Sequence, residues 1–529
     1  MMKKMTFAAL ALLAATTIDA QNVYEAVQIA DKDLNGTARF VGMGGAMGAL
    51  GGDVSTIGTN PAGIGIYRGH DFSASFSVYA NSQNSRYMGF DSNLSKIVSR
   101  YSNVNFDNAG FVFSMKRSNV SPLRYINLAF NYHKAKSFYK NTHMEGELNQ
   151  GPNGEMVSQL WQMANQANGI TNSSAMGEKD AFDNVDLGWL SVLGWRGWLI
   201  DEYKVNPEGN TYCPFLPGNY VPYSVFSSQE RGGVDEYDLN ASFNIADRVY
   251  VGATLGFYDV YYSKHTLYDE SFAGDEGYEL QSYNSVRGAG VDFKLGLIVR
   301  PFEYSPFRVG FAFHTPTLYH LDYLTSATLV SDVWSEEEGK VMRTSVDTYD
   351  YVGNMVRSYR LHTPWVYNVS LGYTIGKELA IGAEYEYKDF GRTRYSYPDG
   401  EEMKFETEEV GYCLQGVHTL RLGLELNVLP KLALRAGFNY DTAAFRDDAF
   451  KNLPYNSIST DTDYANTKEK YTYTAGLGYR GRMFYADLAY KHRMYKEDFF
   501  AYADADNFLN ATKIKNVQNQ VMLTLGVRF

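Results

Sequence analysis

The chain has 529 residues and a formal net charge of −12, an acidic balance that argues against nucleic acid as a partner. Beyond the N-terminus no stretch approaches the roughly 18 uninterrupted apolar residues of a helical membrane span, so spanning helices are excluded. A mean hydropathy of −0.33 does not exclude membrane strands, whose polar and apolar faces average out, and an aromatic share of 15% with 43 tyrosines suits interfacial girdles.

In chain order, Lys3 and Lys4 precede an apolar run over residues 7–15, and Ile18-Asp19-Ala20 offers a small residue for cleavage. Residues 1–20 therefore read as a secretory signal peptide cut before Gln21. The stretch ARFVGMGGAMGALGGDVSTIGTNPAGIG follows at residues 38–65. It fails the dinucleotide fingerprint, because Met47 stands where the third glycine belongs and no strand precedes it. It fails the phosphate-loop pattern because no Gly-Lys-Ser/Thr follows. Gly44, Gly48 and Gly52 fall at GxxxG spacing, but the apolar stretch is too short to span a bilayer. Glycine lets backbone pack closely and turn freely, and Asn60-Pro61 marks a turn. Residues 21–70, ahead of a first strand over 72–80, are expected to fold as a small N-terminal plug.

From there the chain reads as strands. Period-two alternation recurs over residues 249–257, 291–299, 365–375, 379–387, 420–428, 432–438, 471–479 and 521–529. At the C-terminus Val521, Leu523, Leu525, Val527 and Phe529 share one face. The apolar faces are too many for a second layer to cover, so lipid covers them. The count is roughly fourteen strands, and residues 71–529 form an all-β transmembrane antiparallel barrel. Short links at 118–122, 376–378, 429–431 and 481–482 alternate with long ones, the asymmetry of periplasmic turns and extracellular loops. The longest, about residues 140–233, holds a short helix near 156–167 and the cluster Trp189, Trp195, Trp198. A three-residue turn at 429–431 sets Val428 against Leu432 and places Glu425 opposite Arg435 inside the barrel. A barrel this wide needs something in its lumen, and the N-terminal plug supplies it.

The two cysteines, Cys213 and Cys413, fall in loops and form no CxxC, leaving a disulfide and two free thiols both open. Histidines at 314, 320, 362, 418 and 492 show no ligand spacing, so no metal or cofactor is expected. With neither HExxH nor GxSxG in the sequence, an enzyme is not expected either.

The stretch over 38–65 resembles the N-terminal hatch of the FadL-type outer-membrane transporters of long-chain fatty acids and other hydrophobic compounds. The matching residues are Arg39, the glycines from Gly42 to Gly52, Asp53, and Asn60-Pro61-Ala62. Weaker similarity runs through residues 309–319, 363–395 and 418–441. One carboxylate of the family's acidic pair is replaced here by Gly52. The resemblance implies passive uptake in the outer membrane of a Gram-negative bacterium: capture among extracellular loops, a hatch-gated pocket, and lateral release. It implies a hydrophobic small-molecule ligand, outer-membrane lipid and lipopolysaccharide around the barrel, and assembly machinery reading the terminal Phe529. Arg39, Gly44, Gly48, Asp53, Asn60, Pro61 and Ala62 are the expected hatch and gating residues, with Asp53 latching a wall arginine. Arg421 and Arg435 point inward, either to a carboxylate head group or into charge ladders with Glu425, Glu384 and Glu386. Trp189, Trp195 and Trp198 are candidates for a capture surface. A surface adhesin, a structural barrel, or transport of another hydrophobic cargo such as haem are the alternatives.

Overall fold

The computed structural model describes residues 23–86, 97–117, 121–205, 209–215, 221–504, 506 and 508–529. The signal peptide, and Ser118 to Val120 of the link over 118–122, lie outside the described residues.

Nineteen hydrogen-bonded segments form one sheet, and five of them continue an interrupted strand, so fourteen strands run around the barrel. They are β1 (Asp71–Arg86), β2 (Ile97–Lys116), β3 (Leu123–Ser137 with Lys140–Glu147), β4 (Tyr223–Ile245) and β5 (Val249–Ser271). Next come β6 (Gly277–Val299), β7 (Arg308–His314 with Leu318–Ser335) and β8 (Lys340–Asp347, Met355–His362, Val366–Ile375). β9 (Leu379–Asp389 with Arg394–Ser396), β10 (Gly416–Leu429), β11 (Leu432–Asp441), β12 (Tyr464–Arg480), β13 (Phe484–Phe500) and β14 (Thr512–Arg528) complete the set. β1 pairs with β14 from Asp71↔Arg528 to Arg86↔Lys513, which closes the cylinder and leaves no sheet edge there.

Burial is inverted relative to a soluble sandwich. Leu420, Leu422, Leu424 and Leu426 are exposed, while Thr419 and Glu425 on the alternate face are buried. Val521, Leu523 and Leu525 are exposed and Met522 and Thr524 are buried. Apolar groups turned out and polar groups turned in are what a barrel wall in lipid requires.

The first strand is longer than 72–80, because its outward Phe72, Phe76 and Val78 give way upward to polar residues whose backbone still pairs with β2 and β14. Glu425 and Arg435 are cross-strand partners as expected, their side chains bonding at 2.6 Å inside the barrel. The turn is tighter than three residues: Leu429, not Val428, faces Leu432, and a register shift between Asn427 and Leu429 absorbs the difference. The connection over 140–233 is shorter than the sequence suggests. Lys140–Glu147 prolongs β3 against β4, which starts at Tyr223. What remains is a cap over the long-loop end, built on helices Leu160–Ala167 and Trp189–Arg196 with Leu160, Met163, Phe182, Trp189 and Leu193 as its core. No disulfide joins Cys213 and Cys413, and the Cys413 thiol donates to the Phe450 carbonyl.

Candidate functional site

The N-terminal segment fills the lumen in two parts. The floor, residues 38–66, holds helix α2 after the lumenal helix α1: α1 is Val23–Ala30 and α2 is Ala38–Gly42. Two 3-10 turns, Val54–Gly58 and Pro61–Ile66, follow. Thr37 caps α2 by accepting from the Phe40 amide, and Asp53 caps the first turn by accepting from the Ser55 amide at 3.0 Å. Asp53 also accepts from the Thr37 hydroxyl at 2.8 Å. Its carboxylate is consumed within the hatch, and the expected Asp53 latch to a wall arginine is not made.

The latch runs the other way. Arg39 reaches out to Glu425 through Nε and Nη2, both at 2.9 Å, while its Nη1 donates to the Gly52 carbonyl. Glu425 is shared with Arg435, which also bonds Asp487 at 2.6 Å. Arg421 bonds Glu384 at 2.6 Å and Glu386 at 3.0 Å. Both inward arginines thus sit in charge ladders of the wall, and Arg421 also lines a lumenal cavity. Gly48 donates its amide to Glu384 at 3.0 Å. Asn60 accepts from the Ala62 amide and donates to the Leu297 carbonyl. The Pro61 carbonyl accepts from Ser242, and Ala62 is fully buried. Gly44 sits at φ +62°, where an added Cβ would lie 2.9 Å from Asn439 Oδ1. Six of the seven hatch residues therefore belong to the plug's seat on the wall, and Asp53 holds the plug's own fold together.

Above the floor, α1 reaches up into the apolar cluster beneath the cap, with Tyr24 stacked on Phe445. A strap over 31–37 joins α1 to the floor, and the sequence reading passed over it. Asp31 pairs with Lys470 at 2.6 Å, Lys388 at 3.0 Å and Lys136 at 3.3 Å; Asp33 pairs with Arg493 at 2.5 Å. Burial alone would raise the Asp31 carboxyl, but Lys470, Lys136 and Lys388 outweigh it and hold it well below the ordinary range. Asp33 is likewise lowered against its burial, by Lys136 and Arg493. Two cavities flank the strap, and Asp31, Asp33 and Arg493 face both. The first combines Lys136, Lys140, Lys470 and Arg493 with Tyr24, Phe445 and Phe499.

Beside the strap the wall ladder is incomplete. β2 stays paired with β1 up to Ser85↔Ile97, but its pairing with β3 ends at Asn108↔His133. Among the described residues β3 continues upward paired only with β4, as far as Glu147↔Tyr223. Along this seam the strap takes the missing strand's place. The Asp33 amide donates to the Ala135 carbonyl at 2.8 Å, and the Ser137 amide donates to the Asp33 carboxylate at 3.3 Å. Asn35 donates to the Lys134 carbonyl at 3.0 Å and to Asp107 of β2 at 3.1 Å, bridging both sides. Farther up, Tyr101 of β2 stacks on Tyr139 with centroids 5.2 Å apart, and Arg231 lies over Tyr101. A signal was present in the sequence: Asp31, Lys32 and Asp33 are a charged interruption in an otherwise apolar plug.

The three tryptophans do not form one surface. Trp189 is fully buried and donates to the Phe182 carbonyl, Trp195 packs against the cap core, and Trp198 alone is open, at 66% exposure. The α4 helix (Trp189–Arg196) must bury one face to hold the cap together, and α3 (Leu160–Ala167) is the face it packs on.

No family profile and no curated protein matches the chain. Among solved structures it is similar to a FadL homologue of Pseudomonas aeruginosa, at 11% identity and a TM-score of 0.50, over 94% of this chain and 99% of that one. It is also similar to the toluene transporter TbuX of Ralstonia pickettii (13% identity, TM-score 0.46, 94% and 99% covered). The toluene transporter TodX of Pseudomonas putida matches at 11% identity and a TM-score of 0.45, with 94% and 99% covered. The first likeness shows the fold: a fourteen-stranded FadL-type barrel with its N-terminal plug.

Proposed function

We propose that this barrel stands in the outer membrane of a Gram-negative bacterium and passes hydrophobic small molecules inward without an energy source, releasing them sideways through the seam between β2 and β3. The short turns face the periplasm and the cap faces outward. The observation that carries this reading is the interrupted ladder at Asn108↔His133, with a strap of the plug laid along the open edge of β3. A methylene group in water costs about 0.8 kcal/mol relative to an apolar phase, so a route from lumen to bilayer spares an acyl chain the aqueous periplasm.

The cargo that fits is an amphiphile with an anionic head, such as a long-chain fatty acid. Lys136, Lys140, Lys470 and Arg493 face the same cavity as Tyr24, Phe445 and Phe499, each paired with Asp31, Asp33 or Glu497, so a head group enters by exchange with those carboxylates while the rings take the tail. A carboxylate entering there competes with Asp31 and Asp33 for their cations, and loss of those pairs frees the strap from β3. The P. aeruginosa FadL homologue shares the general architecture, and the hatch motif of the sequence points the same way. The reading includes no chemical conversion of the cargo.

A reversible bolt tests it. In a Cys213→Ser, Cys413→Ser background, Asn35→Cys with Asp107→Cys joins the strap to β2 where the two side chains already touch. Uptake of a labelled fatty acid by cells should fall to background when the pair is oxidised and return on reduction. Equal uptake in both states would refute the seam as the exit.

A further inference from the structure

We propose that the outer wall over β7, β8 and β9 carries a binding site for the phosphate of an acylated, phosphorylated sugar lipid in the outer leaflet. The proposal rests on the orientation given above, but its readout is lipid binding and not transport.

The site is a block of arginine and histidine side chains on the lipid side of the wall. His320 of β7 is the direct cross-strand partner of Arg360 in β8, and His362, two residues on, is the partner of Arg394 in β9. His320 and Arg394 are exposed and Arg360 and His362 half-buried, all on the face that lower down carries Trp365 and Tyr367. Among the described residues neither arginine makes an ion pair, and the Arg360 Nε is buried with no hydrogen-bond partner. Arg287 of β6 extends the block across Asp322, lying over the Tyr261 ring at 4.9 Å. Asp322 is the nearest wall carboxylate, and it accepts from Ser358 at 2.5 Å. Asp399 and Glu401 sit on the hairpin above Arg360, where the Asp399 carboxylate accepts from the Glu401 amide. The carboxylates of Asp399, Glu401 and Glu402 lie nearby, but among the described residues none of them is ion-paired with Arg360 or Arg394, so both guanidiniums keep donors that an outside anion can take.

Height fixes what that anion is attached to. The ten residues Val366–Ile375 carry outward Tyr367, Val369, Leu371, Tyr373 and Ile375. At about 3.3 Å per residue and a tilt near 40° they span about 25 Å along the membrane normal, the height of a barrel's apolar band. Trp365 caps this band, and His362 and Arg360 come next on the same strand. An anion at that level belongs to a headgroup whose acyl chains lie on Leu318, Phe313, Trp365 and Tyr367 below. Arginine forks suit phosphate oxygens, and two of them on adjacent strands suit one phosphate better than a diffuse charge.

The test uses the delipidated full-length protein in detergent and native mass spectrometry. The probes are diphosphorylated lipid A, its dephosphorylated form, and inorganic phosphate. The wild type should retain the phosphorylated lipid at least tenfold better than the dephosphorylated one and should not retain inorganic phosphate. Arg360→Gln with Arg394→Gln should lose that tenfold preference, as should His320→Gln with His362→Gln to a smaller degree. Lys496→Gln with Lys515→Gln, a paired exposed site on β13 and β14, should keep it. Retained heat-dependent gel mobility shows that each variant still forms the barrel. Equal retention of both lipids by the wild type, undiminished preference in the arginine variant, or retention of inorganic phosphate alone would overturn the proposal. Wild-type fatty-acid uptake, measured separately, bears on the transport reading and leaves this result standing either way.

Discussion

The floor of the plug and the strap above it are parts of one segment, yet they are held by opposite means. The floor is seated by contact so close that Cβ atoms are excluded: Gly44 beside Asn439 and the Leu422 carbonyl, Gly48 beside Glu384 and Ser370. The strap is seated by charge, with cavities on both sides and Asp31 and Asp33 spread over cations from β3, β9, β12 and β13. Close packing has no intermediate state, whereas ion pairs beside a cavity can exchange partners with water or a ligand. The difference assigns support to the floor and movement to the strap.

The strongest way to break the comparison is to force the floor. Gly44→Val places a β-branched side chain at φ +62° and a Cβ within about 3 Å of three wall atoms. The expected outcome is loss of the plugged barrel, read as loss of heat-modifiable mobility and of a cooperative melt. Removing the latch should cost less. Arg39→Ala takes one of its two partners from Glu425 but leaves Arg435, so the cost stays below the roughly 3–5 kcal/mol of a buried carboxylate left unpaired. The variant should fold and melt at a clearly lower temperature, with conductance in planar bilayers raised over wild type.

The strap should answer differently. Asp31→Asn removes the common partner of Lys136, Lys388 and Lys470 without touching the floor. The expected result is a small change in melting temperature with a several-fold rise in conductance, since the seam loses its cover while the barrel keeps its seat. A melting change as large as that of Arg39→Ala would erase the distinction between the two regions.

What the sequence made legible follows the same division. Period-two alternation over residues 420–428 and 432–438 located the wall, and face assignment alone placed Glu425 against Arg435, because a strand's two faces are fixed by its pleat. The glycines of residues 42–52 announced close packing. Asp53 was misplaced because capping and latching ask for the same residue type, and only the neighbouring Thr37 and Ser55 decide between them. The tryptophans were grouped by spacing along a cap whose folding buries Trp189 and leaves Trp198 open. The strap and seam were out of reach, since a missing ladder is a relation between β2 and β3 that neither strand's residues express.

The smallest effect tests the strap's upper anchor, α1. Burial, opposed chiefly by Lys451, raises the Glu25 carboxyl from 4.5 to about 8. Between those values docked α1 holds a proton that the undocked chain has released. Docking is therefore fully favoured below pH 4.5, weakens as pH rises toward 8, and levels off above. Asp31 and Asp33 have the opposite sign. Their lowered values stabilise the strap at any pH above the ordinary aspartate range near 3.9, and that contribution is lost only in stronger acid. Between pH 5.5 and 8, then, hydrogen-exchange protection of residues 23–30, corrected for intrinsic rates, should fall while that of the floor stays level. Glu25→Gln should flatten the α1 profile. A parallel decline in the floor would mean that plug and strap open together, and that the charges of the strap control nothing on their own.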